Sequence, residues 1–251
     1  MKGALIYFSG TGNTEYVIKK FKEEFADRGV ESDLINTSMQ KTFEKQYDFY
    51  VFGAPIHAEM FPNYYIEWVK ENIKKGTKKK CIIFSTQASS KGIGVEELYN
   101  ILKEKNMKVI IKDFIEMPNN YYVVMFKKNS QEEIQKLKKS AEKKVEKIVE
   151  YFLYGSNIIK KVSKTRVFFG KIAYSMFYKY SLKWAYKNLS VDEGACVKCE
   201  KCVNECPTNN ISMTNGNITF GSTCISCQHC IHKCPVNAFR YKGKKFEQYK
   251  I

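Results

Sequence analysis

Eight of the nine cysteines lie between Cys196 and Cys234, in two copies of one spacing. Cys196, Cys199, Cys202 and Cys206 run into Pro207, and Cys224, Cys227, Cys230 and Cys234 run into Pro235. The pattern C-x2-C-x2-C-x3-C-P thus recurs at an offset of 28 residues. Three thiolates at i, i+3 and i+6 on a tight loop can reach three irons of one cubane. The fourth, turned away by the following proline, ligates the other cubane. The spacing therefore predicts two 4Fe–4S clusters, one on Cys196, Cys199, Cys202 and Cys234, the other on Cys224, Cys227, Cys230 and Cys206. Zinc sites favour ligand pairs separated by a longer stretch, not four cysteines in eleven residues. So small a segment has little apolar core, so bound clusters would supply much of its folding energy.

Residues 190–242 resemble the bacterial two-cluster ferredoxins, with both cysteine sets matching without a gap. The resemblance implies low-potential, one-electron clusters close enough to exchange electrons. Asn215-Gly216 between Asn210–Met213 and Asn217–Phe220 signals a hairpin, and Ala238–Tyr241 reads as a closing strand. His229 and His232 lie among the ligands, where eight cysteines already fill every position, and read as surface or supporting residues. The ninth cysteine, Cys81, begins an apolar run, Cys81–Phe84, and reads as a small core residue.

The N-terminal half alternates strands and helices. Ala4–Phe8, Glu31–Ile35, Asp48–Gly53, Lys80–Ser85 and Lys108–Ile115 read as strands. Helices are expected from Thr14 to about Ala26, from Pro62 to about Lys75, over Val95–Lys105 and over 130–153. This βα alternation predicts an α/β fold, a parallel sheet covered on both faces. A further single helix is expected over Arg166–Lys187. The boundaries expected are 1–153 for the α/β domain, 154–189 for a basic helical connector and 190–251 for the cysteine domain.

After the first strand comes Ser9-Gly10-Thr11-Gly12-Asn13-Thr14, opening a helix. Its backbone amides and hydroxyls suit a phosphate at a helix N-terminus. Glu15 occupies the third glycine slot of a dinucleotide fingerprint, and the Gly-Lys-Ser/Thr of a nucleotide P-loop is absent. Ser9, Thr11, Gly12 and Thr14 resemble the Ser/Thr-x-Thr-Gly-x-Thr phosphate loop of the flavodoxin family, position by position, and the likeness covers roughly 1–125. It implies a doubly wound five-stranded sheet of order 2-1-3-4-5 with FMN at the switch point. FMN would then be held by Ser9, Gly10, Thr11, Gly12, Asn13 and Thr14 at the phosphate. Two loops, Gly53–Phe61 and Ser85–Gly92, would hold the ring, through Pro55, Ile56, His57, Thr86, Gln87, Ala88 and Ser89, with Ile56, His57 or Phe61 on its face. Neither loop carries the Trp/Tyr pair of a stacked sandwich. His57 reads either as a proton donor to the flavin or as a plain loop residue. Met117-Pro118-Asn119-Asn120-Tyr121 and the pairing of modules resemble anaerobe flavodoxin–ferredoxin fusion proteins.

The net charge of +16 is uneven. Residues 127–190 hold 16 Lys+Arg against 5 Asp+Glu, an excess of 11 over the last helix of the α/β domain and the connector. Lys171, Ser175, Lys179, Lys183 and Lys187 recur every fourth residue, among Phe168, Phe169, Ile172, Met176, Phe177, Tyr180 and Trp184. Three readings stand: a helix packing its aromatics on the two domains, a dock for an acidic redox partner, or a helix on an anionic membrane surface. No nucleic-acid motif accompanies the charge. No secretory signal or membrane-length apolar run is visible, so a cytoplasmic chain is expected. The functional expectation is electron transfer between the clusters and FMN, serving a redox partner protein or a small acceptor such as a quinone or nitro compound. The other class is a redox or iron sensor using its clusters as a switch for partner binding.

Overall fold

The computed structural model describes residues 1–75, 78–88 and 92–251. Its largest sheet is parallel throughout, in the order β2-β1-β3-β4-β5-β6. The strands are β1 (Lys2–Tyr7), β2 (Glu31–Asn36), β3 (Phe49–Pro55), β4 (Lys80–Gln87), β5 (Lys108–Glu116) and β6 (Ile158–Ile159). The expected 2-1-3-4-5 order is present, with a sixth strand at its edge rather than five strands in all. Two residues are too few to show a strand period in the sequence. They pair with Ile111 and Lys112 and cover the open edge of β5.

β1, β3 and β4 are buried on both faces, which is why they read as unbroken apolar runs. One face packs on α1 (Asn13–Ala26) and α4 (Gln131–Leu153), where Phe21, Phe25, Phe49, Phe84 and Phe152 interlock. The other packs on α2 (Asn63–Asn72) and α3 (Gly94–Glu104) through Tyr65, Ile66, Val69, Leu98 and Leu102. α4 starts on a capping box: Ser130 Oγ accepts from Glu133 N, and Glu133 accepts from Ser130 N. α2 stops before Lys75 because Ile73 turns extended into the core, and Lys105 Nζ satisfies the freed carbonyls of Lys70 and Ile73, each at 2.6 Å.

The single helix expected over 166–187 is two: α5 (Lys164–Leu182) and α6 (Trp184–Asn188). The break at Lys183 lets Trp184 and Ala185 swing into a separate core with Leu189, Ile231 and Phe239. Around that core lie β7 (Leu189–Val191) paired antiparallel with β10 (Phe239–Tyr241), the hairpin β8 (Ile211–Thr214) and β9 (Asn217–Phe220), and the short α7 (Lys201–Asn204) and α8 (His229–Lys233). Asn215 and Gly216 both take positive φ, as the hairpin signal requires. Cys81 is fully buried, and burial raises its thiol well above the ordinary range, as suits a core residue. Among the described residues no helix is long and apolar enough to cross a membrane.

Candidate functional site

The loop after β1 is held by its own hydroxyls and by those of its neighbours. Ser9 Oγ accepts from the amides of Gly12 and Glu15, both at 3.2 Å, at the entrance to α1. Thr14 and Thr86 share a hydroxyl hydrogen bond of 2.7 Å, fixing the loop to the end of β4. Asn120 donates to Thr11 Oγ1 at 2.5 Å, and Asn13 donates to the Pro118 carbonyl at 2.8 Å. Thr11, Asn13 and Thr14 are thus buried and still partnered, and the start of a 14-residue helix faces the space they enclose.

That space is a cavity of about 370 Å³ at the carboxyl ends of β1, β3 and β4, within the range of cofactor sites, about 300–1,000 Å³. Ser9, Gly10, Thr11, Asn13, Thr14, Pro55, Ile56, His57, Thr86, Gln87 and Ala88 all line it. Gly12 stands behind this wall, at φ 120° beside Ile251. Ser89 lies outside the described residues. Phe61 does not face the cavity but is fully buried in the α2–α3 core.

The loop after β3 is a tight turn, with Ala58 and Glu59 at positive φ and His57 and Met60 bonded backbone to backbone. The amides at the start of α3 fix it by donating to the Glu59 carbonyl, Ile93 at 2.6 Å and Gly94 at 2.9 Å. Arg166 of α5 pairs with the Glu59 carboxylate at 3.1 Å. His57 faces Phe177 of α5, ring centres 6.3 Å apart. Burial lowers the His57 pKa to about 4, a hydrogen bond with the Ile225 backbone offsetting part of the shift. The imidazole is therefore neutral at neutral pH and carries no ready proton of the imidazolium kind.

Several lining residues were not assigned from sequence: Pro118–Tyr121, Met125, Phe126, Phe177 and Ser226–Gln228. The Met117–Tyr121 stretch stands out in the chain, and its role becomes visible only once Asn120 is seen on Thr11. Nothing local in the sequence marks Phe177 or Gln228 as cavity residues, because both arrive from elements far along the chain.

The eight clustered cysteines form two groups. Cys196, Cys199, Cys202 and Cys234 line one small, mostly apolar cavity. Cys206, Cys224, Cys227 and Cys230 line another. Burial, then the neighbouring thiols, pushes Cys202 up to about 11 and raises Cys224, Cys227 and Cys230 as well. Bare thiolates are costly in such sites, and a bound cation is what stabilises them. Backbone amides reach sulfur at matching places in the two copies, Asn210 to Cys206 at 3.3 Å and Ala238 to Cys234 at 3.4 Å.

The two sites share a wall. Cys227 lines the larger cavity as well as the second sulfur group. Its carbonyl lies so close over Gly10 that a side chain there would overlap it. His229 Nδ1 donates to the Gly10 carbonyl at 2.8 Å and Nε2 meets Glu205 at 2.7 Å. Tyr121 and Ser226 hydroxyls bond at 2.9 Å. His232 is buried: its Nδ1 accepts from Tyr249 N, so Nε2 carries the proton toward Gln228 Oε1. Gln228 is thereby fixed against the cavity with its Nε2 buried and without a hydrogen-bond acceptor.

A doubly wound parallel sheet with a hydroxyl-rich loop at its switch point, beside a doubled four-cysteine loop, defines a flavodoxin-type module joined to an iron–sulfur module. The family comparisons agree: residues 4–109 match the flavodoxin domain and residues 171–245 match the 4Fe-4S dicluster domain, so the chain carries one of each. The first domain implies FMN and the second iron–sulfur clusters. Among solved structures the chain is similar to a flavodoxin from the domain Archaea (14% identity, 60% of this chain and 99% of that one, TM-score 0.39). It is also similar to oxidised flavodoxin 1 of Bacillus cereus (19%, 56% and 95%, 0.39) and to two-electron reduced Megasphaera elsdenii flavodoxin (19%, 56% and 98%, 0.39). No curated protein matches.

Proposed function

We propose that this protein passes single electrons between two 4Fe–4S clusters and one FMN, for a reductase reaction or for delivery to a redox partner. The observation that carries the proposal is the shared wall: Ser226–Gln228, inside the second cysteine loop, closes one side of the cavity built by the β1, β3 and β4 loops. Clusters exchange electrons singly and FMN takes one or two, so together they couple one-electron supply to two-electron demand.

The residues present fit these groups. The Ser9–Thr14 loop, at a helix N-terminus and with Thr hydroxyls turned inward, suits the phosphate. Gln228 Nε2 is a buried donor still lacking an acceptor, which the polar edge of a flavin would provide. Pro55–His57 and Thr86–Ala88 would flank the ring. Cys196, Cys199, Cys202 and Cys234 would hold one cluster, and Cys206, Cys224, Cys227 and Cys230 the one beside the flavin. Phe177, Met125 and Phe126 line the remaining side, so the chain's own part is to hold position.

The test is anaerobic reconstitution followed by assay of iron, sulfide and flavin, then chemical reduction with visible and EPR spectra while quinones, nitro compounds and candidate partner proteins are added. About eight irons per chain with one FMN, and flavin reduction that follows cluster reduction, are the expected result. Iron well below that figure, or flavin that stays oxidised beside reduced clusters, would sink it.

A further inference from the structure

We propose that the outer face of α5 rests on an anionic membrane surface. α5 is 19 residues long, about 28 Å. Its inner face is occupied: Gly170 and Tyr174 are buried, Tyr174 Oη accepts from Asn63 N at 2.9 Å, and Phe177 meets His57. The opposite face holds Phe168, Ile172 and Met176 at i, i+4 and i+8, with Phe169 and Tyr180 beside them. Phe168 is 63%, Phe169 67% and Met176 71% exposed. Contiguous exposed apolar side chains on this scale mark an interaction surface.

The flanking charge identifies the occupant. Residues 151–191 contain eight Lys+Arg and no Asp or Glu. Arg166 is drawn to Glu59 and Lys171 lies within reach of the Glu97 charge, whereas Lys164, Lys179, Lys183 and Lys187 stand exposed along the rest of the segment. A bulky apolar stripe edged by lysines is what a helix lying in the headgroup layer requires: rings and thioether enter the acyl boundary while the lysine stems reach up to anionic headgroups. A protein interface carries about one hydrogen bond per 100–200 Å², and Phe168, Phe169, Ile172 and Met176 offer no polar side-chain group to make one. The charge then suits lipid phosphate, and the directionless apolar stripe suits lipid rather than a folded acidic partner.

The inference does not depend on the electron-transfer reading. Its test uses the full chain with its cofactors, floated with vesicles of phosphatidylcholine alone or mixed with phosphatidylglycerol. The protein should float with the mixed vesicles, less so as salt rises, and remain unbound with phosphatidylcholine alone. Each lysine near an anionic surface is worth about fivefold in partitioning, so Lys179→Glu with Lys183→Glu should lower binding by more than tenfold. Phe169→Ser with Met176→Ser should also release the protein while flavin and cluster absorbance stay unchanged. The proposal fails if the parent does not float with the mixed vesicles, or if both double variants bind as the parent does. It also fails if light scattering shows a paired species that Phe169→Ser abolishes, since a second copy would then cover the face. Salt-dependent capture of an acidic protein through this face, without vesicle binding, would overturn it in favour of a protein partner.

Discussion

Single residues carry the junction between the modules. Gly10 has no side chain because the Cys227 carbonyl occupies the space one would need, and even the Cys227 Cβ would stand 3.2 Å away. Gly10→Ala should force the loops apart and destabilise the fold by about 1–3 kcal/mol, read as a lower urea midpoint with loss of bound flavin. His57 gives a pH signature. Its pKa falls from 6.5 to about 4 on folding, so between those values the unfolded chain binds the extra proton. The stability held by its neutral ring is complete above pH 6.5 and is lost as pH falls toward 4. Urea unfolding at pH 7 and pH 5 should show the parent losing more stability than His57→Gln. The hydroxyl loop was legible in the sequence because its residues are contiguous. Gln228 was not, since its role depends on His232, Tyr249 and a cavity whose other walls come from Ser9–Thr14, Pro55–Glu59, Thr86–Ala88, Pro118–Tyr121 and Phe177, far earlier in the chain.

At the scale of elements, the 28-residue repeat is written in the backbone as well as in the cysteines. Lys198, Glu200 and Asn209 have positive φ, and so do Ser226, Gln228 and Asn237, each 28 residues on. Lys198, Glu200, Ser226 and Gln228 lie between the ligands and curl each loop around its sulfurs, at a cost that a bound cluster would offset. The parallel strands were legible from βα alternation and their order came from the likeness to the flavodoxins, whereas β6 was not legible, because a two-residue strand has no pattern. What makes β6 matter is its neighbourhood. Lys112 on β5 is 2% exposed and pairs with Glu96 at 2.5 Å, over the ring of Tyr99, while Val162 N donates to the same carboxylate at 3.1 Å. Glu96→Gln leaves a buried ammonium without its counter-charge and should cost about 3 kcal/mol. The double change Lys112→Met with Glu96→Leu should recover most of that loss, measured by equilibrium unfolding. The helix break at Lys183 was equally hidden, since Trp184 leaves α5 only because a second core awaits it.

Across the whole molecule, the C-terminal tail locks the two modules together. Tyr249 is 4% exposed, and its hydroxyl donates to Asn13 Oδ1 at 2.5 Å, inside the loop after β1. Tyr249→Phe removes that bond and leaves the Asn13 carbonyl oxygen short of a donor, so a loss of about 1–2 kcal/mol and faster flavin release are expected. Unfolding curves and flavin fluorescence on dilution would measure both. The sequence shows two modules side by side; it does not show that one completes the cavity of the other, because that fact resides in contacts such as Tyr121 with Ser226 and His229 with Gly10.

The partition formed by Ser226–Gln228 makes the two pigments share one fate. On the electron-transfer reading proposed above, oxygen that dismantles a cluster held by Cys227 would remove the support of the stretch of chain that also shuts in the flavin. In air, loss of the brown cluster absorbance should therefore be matched by flavin release at the same rate, read as a rise in free-flavin fluorescence, and a batch that is yellow but iron-poor should shed its yellow on a desalting column.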